Sequence, residues 1–137
     1  MESESKLVLL DTNFAMAPFL YKIDILKAIG EKMNSPYEVH VPSMVLTELA
    51  GIKGKKGKEA GNAAASLKWL QKKIESREIK LILTTDSVDS WMVSFAKKKE
   101  NKGRLMVCTN DVGLRKTLKK KGVKVITLLG RKKLVIS

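Results

Sequence analysis

Short apolar runs alternate with amphipathic segments along the chain. The first run, Lys6–Leu10, is almost wholly apolar and lacks polar alternation, which is typical of a strand buried on both faces of a parallel sheet. It ends at Asp11, Thr12 and Asn13, where open α/β sheets bind their ligands. Further strands are predicted at Glu38–Val41, Lys80–Leu83, Leu105–Cys108 and Lys124–Thr127, and an edge strand at Leu134–Ile136.

The segments between these strands predict helices. IKGKKGKEAG, from Ile52 to Gly61, has four lysines and three glycines without an apolar period, and predicts a mobile basic loop. Strands separated by helical crossovers predict an α/β fold in one domain, residues 1–137, with a mostly parallel sheet and helices on both faces. The predicted helices are Tyr21–Asn34, a helix opened by Pro42-Ser43 and closed by Gly51, Ala63–Ser76 capped by Asn62, one starting near Ser87 or Val88, and one containing Leu114 and Leu118.

Charge limits the classes of partner. The 137 residues include 27 Lys and Arg against 14 Asp and Glu, a net charge of +13, which predicts a polyanionic partner. An anionic membrane surface is the alternative, but no apolar segment approaches the roughly 20 residues of a spanning helix. The N-terminal sequence MESESK lacks the basic and apolar regions of a signal peptide, so a cytoplasmic location is expected.

The chemistry of a metal site is also limited by composition. Cys108 is the only cysteine and His40 the only histidine, so an internal disulfide and a structural zinc site are both excluded. Any metal must be bound by oxygen.

Four acids occupy comparable places in the predicted fold. Asp11 and Asp111 follow strands, Glu48 lies on a helix, and Asp89 lies in the first turn of another. Taken singly, each has a structural explanation as a turn residue, a cap, a partner of the helix dipole or a solvated charge. Gathered at one sheet edge, however, they would repel one another unless cations held them together, and Mg²⁺ or Mn²⁺ suits carboxylate and water ligands.

Several motifs together resemble the PIN-domain ribonucleases. They are DTNF after an apolar strand, the acid of VLTELAG, the helix VDSWMVSFA, and CTNDVGLRKTLKKKGVKVI, in the right order over nearly the whole chain. Within that superfamily the chain is similar to archaeal PIN proteins grouped with VapC-type toxins and with the PIN nucleases of small-subunit ribosomal RNA processing. The resemblance implies a three-layer α/β/α sandwich and a metal-dependent endoribonuclease.

The resemblance also implies residue roles. Where relatives often show two adjacent acids, this chain has Asp89-Ser90, which leaves Asp86 as a rival third acid, although we expect Asp86 to cap the following helix. Where an acid often follows the TND motif, this chain has Gly113. The implied catalytic ligands of Mg²⁺ or Mn²⁺ are Asp11, Glu48, Asp89 and Asp111, with Thr12, Asn13, Thr109 and Asn110 in supporting positions.

The residues allow metal-assisted hydrolysis of a phosphodiester, which requires no serine, cysteine or histidine nucleophile. RNA is the expected partner, as single strands or as structured ribosomal or transfer RNA; a homodimer, an antitoxin or a ribosome-assembly factor are the protein partners compatible with the resemblance. The sequence does not separate a toxin from a ribosomal RNA maturation nuclease. The lysines expected to hold phosphates are Lys53, Lys55, Lys56 and Lys58.

Two other function classes share parts of this pattern. A haloacid-type phosphotransfer domain needs Asp-x-Asp-x-Thr after its first strand, and Asn13 stands where the second aspartate should be. A catalytically silent RNA-binding module on the same fold would keep every basic feature, but it would have no need of the four acids.

Overall fold

The computed structural model describes residues 5–130 and 132–137. The N-terminal sequence MESESK, from which a cytoplasmic location is predicted, lies mostly outside the described residues. The described strands are β1 (Lys6–Leu10), β2 (Tyr37–Pro42), β3 (Ile79–Ile82), β4 (Leu105–Cys108), β5 (Lys124–Leu129) and β6 (Lys133–Ile136). The described helices are α1 (Thr12–Tyr21), α2 (Ile25–Lys32), α3 (Ser43–Lys53), α4 (Lys58–Glu75), α5 (Val88–Ala96) and α6 (Val112–Lys120), with a 3₁₀ turn at Lys99–Asn101. None of these helices is both long and apolar enough to cross a membrane.

The strands form one sheet in the order β3-β2-β1-β4-β5-β6. All neighbours are parallel except β6, which runs antiparallel to β5 as an edge strand. From β1 the chain moves outward through β2 to β3, and then crosses back to β4 and moves outward to β5. Because such crossovers are right-handed, the helices of the two halves cover opposite faces. This confirms the three-layer α/β/α fold.

The centre of the sheet explains the apolar runs. Leu9 of β1 lies between His40 of β2 and Val107 of β4. Strand β1 is covered on both faces, and its Val8, Leu9 and Leu10 are 0% exposed. The strand order reverses between β1 and β4, so their carboxyl ends form the topological switch point at which open α/β sheets bind ligands.

Helix α1 was not predicted. Its residues Phe14–Ala17 are all buried, so this part of the helix has no polar face, and Pro18 lies inside it. Sequence periodicity therefore gave no signal. Its position is fixed in part by α4, whose Ser66 hydroxyl donates to the Ala15 carbonyl at 2.7 Å. The predicted helix Tyr21–Asn34 was too long, because Lys22 has a left-handed conformation (φ 53°) and separates α1 from α2.

The predicted loop Ile52–Gly61 is wrong in extent. Helix α3 continues through Gly51 to Lys53, and α4 begins at Lys58. Only residues 54–57 form the turn between them, and Asn62 lies inside α4 instead of capping it. The two helices pack against each other, and this tertiary contact outweighs the weak helix propensity of the glycines. The basic segment is therefore a short turn between two packed helices.

The prediction that Asp86 caps α5 is also wrong. The side chain that accepts a hydrogen bond from the first turn is that of Ser87, whose hydroxyl oxygen lies 3.4 Å from the amide nitrogen of Ser90. Asp86 is exposed and lies one residue too early for this contact. A serine adjacent to the helix competes successfully because the cap must directly precede the first helical residue.

Ser87→Ala should therefore lower the free energy of unfolding by about 0.5–1 kcal/mol, since the Ser90 amide loses its acceptor. The matched change, Asp86→Ala, should stay within about 0.5 kcal/mol of the wild type. Urea denaturation monitored by circular dichroism measures both. A larger loss in Asp86→Ala than in Ser87→Ala would contradict this assignment of the cap.

Candidate active site

A cavity of about 230 Å³ opens at the switch point between β1 and β4. All four predicted acids, Asp11, Glu48, Asp89 and Asp111, contribute to its wall, together with Thr12 and Asn13 and the apolar side chains of Ile52 and Val88. The structure thus brings the four acids to one place, while their catalytic and metal-binding roles stay predictions.

Asp11 is the most buried of the four acids, at 5% exposure. It follows β1 directly and caps α1, since its Oδ1 accepts a hydrogen bond from the Phe14 amide at 2.7 Å. Burial raises the pKa of Asp11 to about 6; hydrogen bonds from Thr109 and Phe14 oppose this rise, and the charges of Asp89 and Asp111 add to it. Near neutral pH this carboxylate is therefore charged at an energetic cost.

Asp111 holds the equivalent position after β4. Its Oδ1 accepts a hydrogen bond from the Leu114 amide at 2.8 Å and so caps α6. Its own amide donates to the Thr109 hydroxyl at 3.0 Å. Because Thr109 is fully buried and its side chain also hydrogen-bonds Asp11, one hydroxyl group links the two strand-end acids.

The two asparagines of the site have different environments. The Asn110 side chain donates to the Leu128 carbonyl at 2.8 Å and accepts from the Leu128 amide at 2.9 Å. It therefore acts like a further residue of the β4-β5 ladder and fixes the turn that carries Asp111. Asn13 is exposed on the cavity wall, and its carboxamide makes no hydrogen bond within the described part of the chain.

Glu48 connects three elements. Its Oε1 accepts a hydrogen bond from the Thr12 hydroxyl at 2.6 Å, and its Oε2 accepts one from the Val88 amide at 3.4 Å. It thereby joins α3 to the first residues of α1 and α5. These contacts show that Glu48 is not a solvated surface charge, and that Thr12 orients it.

Asp89 faces the same cavity from the first turn of α5, whereas Asp86 is not part of the wall. Partial burial raises the pKa of Asp89, and the charges of Asp111 and Glu48 raise it further. The geometry thus favours Asp89 over Asp86 as the third acid.

The carboxylates share one electrostatic setting. Asp11 and Asp111 cap α1 and α6. Asp89 lies in the first turn of α5, and the carboxylate of Glu48 accepts a hydrogen bond from the first residue of that helix. Helix N-termini carry partial positive charge and unpaired amides, so they stabilise these acids. The raised pKa values of Asp11 and Asp89 show that this does not cancel burial and mutual repulsion.

These donors fit a hard divalent cation. Among residues 5–130 and 132–137, no three His, Cys, Asp or Glu side chains form a group that could hold a metal ion by themselves. Mg²⁺ needs no such cage, because it usually keeps several waters and binds one or two carboxylates together with substrate phosphates. Asp11, which is buried, and Asp89 have raised pKa values partly because neighbouring carboxylates repel them, and a bound cation would relieve that repulsion.

Some residues that shape the site were not predicted. Ile52 and Val88 supply its apolar walls. Ser43 and Thr84 link the start of α3 to the segment after β3, because the Ser43 hydroxyl accepts from the Thr84 amide at 2.8 Å and donates to its carbonyl at 3.1 Å. The partners are 41 residues apart, so no local sequence signal could have revealed the pair.

A wider cleft, of about 510 Å³, continues from the cavity between α5 and α6, and Asp89 and Asp111 line both. Gly113 lies on its wall, where a Cβ atom would meet Asp111 Oδ1 at 3.4 Å. An acidic side chain at this position would therefore project beside Asp111, and the glycine leaves the cleft open.

Comparisons with known proteins support the fold and give a family. A family model described as a PIN like domain matches residues 8–131. The chain is similar to the solved structure of the PIN domain endonuclease Utp24, with a TM-score of 0.74 and 18% identity over 96% of this chain and 90% of that one. It is also similar to a domain of a functionally unknown protein from Methanocaldococcus jannaschii DSM 2661, with a TM-score of 0.63 and 16% identity over 92% and 93% of the two chains. No curated protein matches.

Asp11→Asn should stabilise the metal-free protein above pH 6. The pKa of Asp11 is about 6 in the folded protein against an ordinary value of 3.8, so the folded state binds the proton more tightly than the unfolded chain. The stability that this contributes is complete below pH 3.8 and is lost as the pH rises through 6, a loss of roughly 3 kcal/mol.

The asparagine variant lacks this titration. Its advantage in unfolding free energy over the wild type should therefore grow by roughly 3 kcal/mol between about pH 4 and pH 8, measured by urea denaturation in EDTA. A difference that does not change with pH would mean that Asp11 ionises as readily in the folded protein as in the unfolded chain.

Proposed function

Because the chain belongs to the PIN-like domain family, we propose that it is a divalent-metal-dependent endoribonuclease that hydrolyses phosphodiester bonds in RNA. The observation that carries the proposal is the gathering of four carboxylates at the switch point of a protein with a net charge of +13. The acids suit a cation and the basic surface suits a polyanion. A divalent cation held by these acids together with the phosphodiester backbone of RNA would satisfy both.

The nucleophile is proposed to be water. Among the described residues of the cavity wall, Thr12 alone carries a hydroxyl group, and it donates to Glu48. The Cys108 thiol is fully buried below Asp11, and burial raises its pKa well above the ordinary value. Among the described residues of the wall, no hydroxyl or thiol is therefore free to act as a nucleophile, and the carboxylates are assigned to the cation.

The residues that would hold Mg²⁺ or Mn²⁺ are Asp11, Glu48, Asp89 and Asp111. When bound, such an ion lowers the pKa of a water molecule and offsets charge on the leaving oxygen. The chain itself supplies the surroundings. Ile52 and Val88 supply an apolar wall, and Thr109 and Asn110 fix the positions of Asp11 and Asp111.

The basic turn lies close to this cavity. Ile52 lines the wall and Lys53 is the next residue, the last of α3. Lys55 and Lys56 occupy the turn and Lys58 begins α4, and all four lysines are exposed. Their exposure and their position next to Ile52 support the proposal that they bind phosphates of an RNA whose backbone enters the cavity.

The biological role is proposed in two alternative forms, a VapC-type toxin or a ribosomal RNA maturation nuclease. Both would act in the cytoplasm, and both use the same site. They differ in the RNA that is cut and in the protein partner, an antitoxin or a ribosome-assembly factor. An antitoxin reading frame immediately upstream would favour the toxin.

Purified protein should cleave oligoribonucleotides with Mg²⁺ or Mn²⁺ and should not cleave them in excess EDTA. Asp11→Asn and Asp89→Asn should each lower the cleavage rate by at least about 100-fold, since each removes a proposed ligand charge. Asp86→Asn is the matched control, because it changes an exposed aspartate of the same segment outside the cavity, and it should keep nearly full activity. Undiminished cleavage in EDTA would refute the proposed dependence on a metal ion. Tight RNA binding without cleavage under all conditions would favour the silent RNA-binding module.

Changing Lys53, Lys55, Lys56 and Lys58 together to alanine should weaken RNA binding uniformly across sequences. The salt dependence of the binding constant should become shallower by up to about 0.7 per lost phosphate contact on single strands. The control changes four exposed lysines of α2 and the C-terminal half of α4, namely Lys27, Lys32, Lys68 and Lys72. Equal effects of the two quadruple variants would show that only total charge matters.

A further inference from the structure

A second cavity, of about 250 Å³, adjoins the carboxylate cavity between α1, the start of α4 and the end of β5. Its inner part is apolar and buried, formed by Phe14, Ala17 and Leu128. Its rim carries Leu20 and Tyr21, each 39% exposed. The mechanism proposed above uses none of these five side chains.

Asn13 connects the two cavities. It lies on the wall of both, and its carboxamide is available, since it makes no hydrogen bond within residues 5–130 and 132–137. The turn between α3 and α4, residues 54–57 flanked by Lys53 and Lys58, also runs from one cavity to the other. Ile52, just before the first of its lysines, lines the carboxylate cavity, and Glu59, just after the last, lines the second cavity. A ligand that passes from one cavity to the other therefore stays beside the proposed phosphate-binding lysines.

The charge of the lining indicates the class of ligand. Among the described residues that line the second cavity, Glu59 alone is charged. A carboxylate accepts hydrogen bonds and repels anions, so a phosphate group is disfavoured here. A flat, neutral group with N–H donors at its edge fits an apolar pocket with one acceptor and one carboxamide at its rim.

We propose that this cavity binds the nucleobase of the nucleotide next to the scissile phosphate, with Glu59 and Asn13 contacting the edge of the base. The inference rests on the proposed function, because it assumes that RNA enters the carboxylate cavity. Unpaired bases are commonly bound by stacking on aromatic or apolar side chains and by hydrogen bonds to their edges. Guanine presents neighbouring N1–H and N2–H₂ donors, so it can give the Glu59 carboxylate two hydrogen bonds and should be preferred.

The experiment measures binding without cleavage. A set of single-stranded oligoribonucleotides, each with one abasic position, is titrated with the full chain in Ca²⁺ in place of Mg²⁺ or Mn²⁺, so that a cation still offsets the carboxylates, and binding is followed by fluorescence anisotropy. Loss of the base at one position should weaken binding by roughly 5-fold or more, and loss elsewhere should have a smaller effect. At that position guanine should bind more tightly than uracil, and Glu59→Gln should remove the difference.

Leu20→Ser should abolish the response to the abasic position. Leu81→Ser is the control, because Leu81 is exposed to the same degree, 40% against 39%, and lines neither cavity. Thermal melts establish that both variants are folded. If abasic substitution weakened RNA binding equally at every position, or if the two serine variants behaved alike, the proposal that this cavity binds a nucleobase would be wrong.

The outcome can be separated from that of the proposed function. If the protein binds RNA with one sensitive position but never cleaves it, the pocket stands and the nuclease proposal falls. If it cleaves RNA without a sensitive position, the nuclease proposal stands and the pocket is wrong. In that case an apolar side chain of a protein partner becomes the better candidate for the cavity. Failure to bind any RNA overturns both.

Discussion

Repulsion among carboxylates is the main constraint on this site, and the arrangement of the helices offsets part of that repulsion. The chain directs the N-termini of α1, α5 and α6 at one cavity and places an acid at each. Backbone amides of the first turns donate hydrogen bonds to Asp11, Asp111 and Glu48 and so stabilise part of the negative charge. The remaining repulsion is what the proposed cation would relieve.

Structural and functional explanations of these acids are therefore not alternatives. Asp11 and Asp111 each cap a helix with one carboxylate oxygen while the residue lines the cavity. Asp11 directly follows its strand, and Asp111 follows its strand after two residues, so each carboxylate lies between a strand end and the helix that it caps. This makes its position more rigid than a loop could, which is what a site for a small, geometrically demanding ion requires.

The sequence predicts much of this fold because the informative signals are local. Continuous apolar runs located β1 and β4, and the polar residues after them located Asp11 and Asp111. What it missed depends on contacts distant in the chain. Helix α1 is buried at Phe14–Ala17, so its sequence shows no alternation of apolar and polar faces. Helices α3 and α4 include glycines that, in the sequence alone, suggest a loop. The hydrogen bonds from Val88 to Glu48 and between Asn110 and Leu128 could not be predicted for the same reason.

The short turn between α3 and α4 has a consequence for the thermodynamics of recognition. A mobile ten-residue loop would lose conformational entropy when it bound a polyanion, and part of the electrostatic gain would be spent on ordering it. Here the backbone around Lys53 and Lys58 is already fixed by two packed helices. If these lysines bind RNA as proposed, only side-chain freedom would be lost on binding, and their affinity for phosphate would be governed mainly by counterion release.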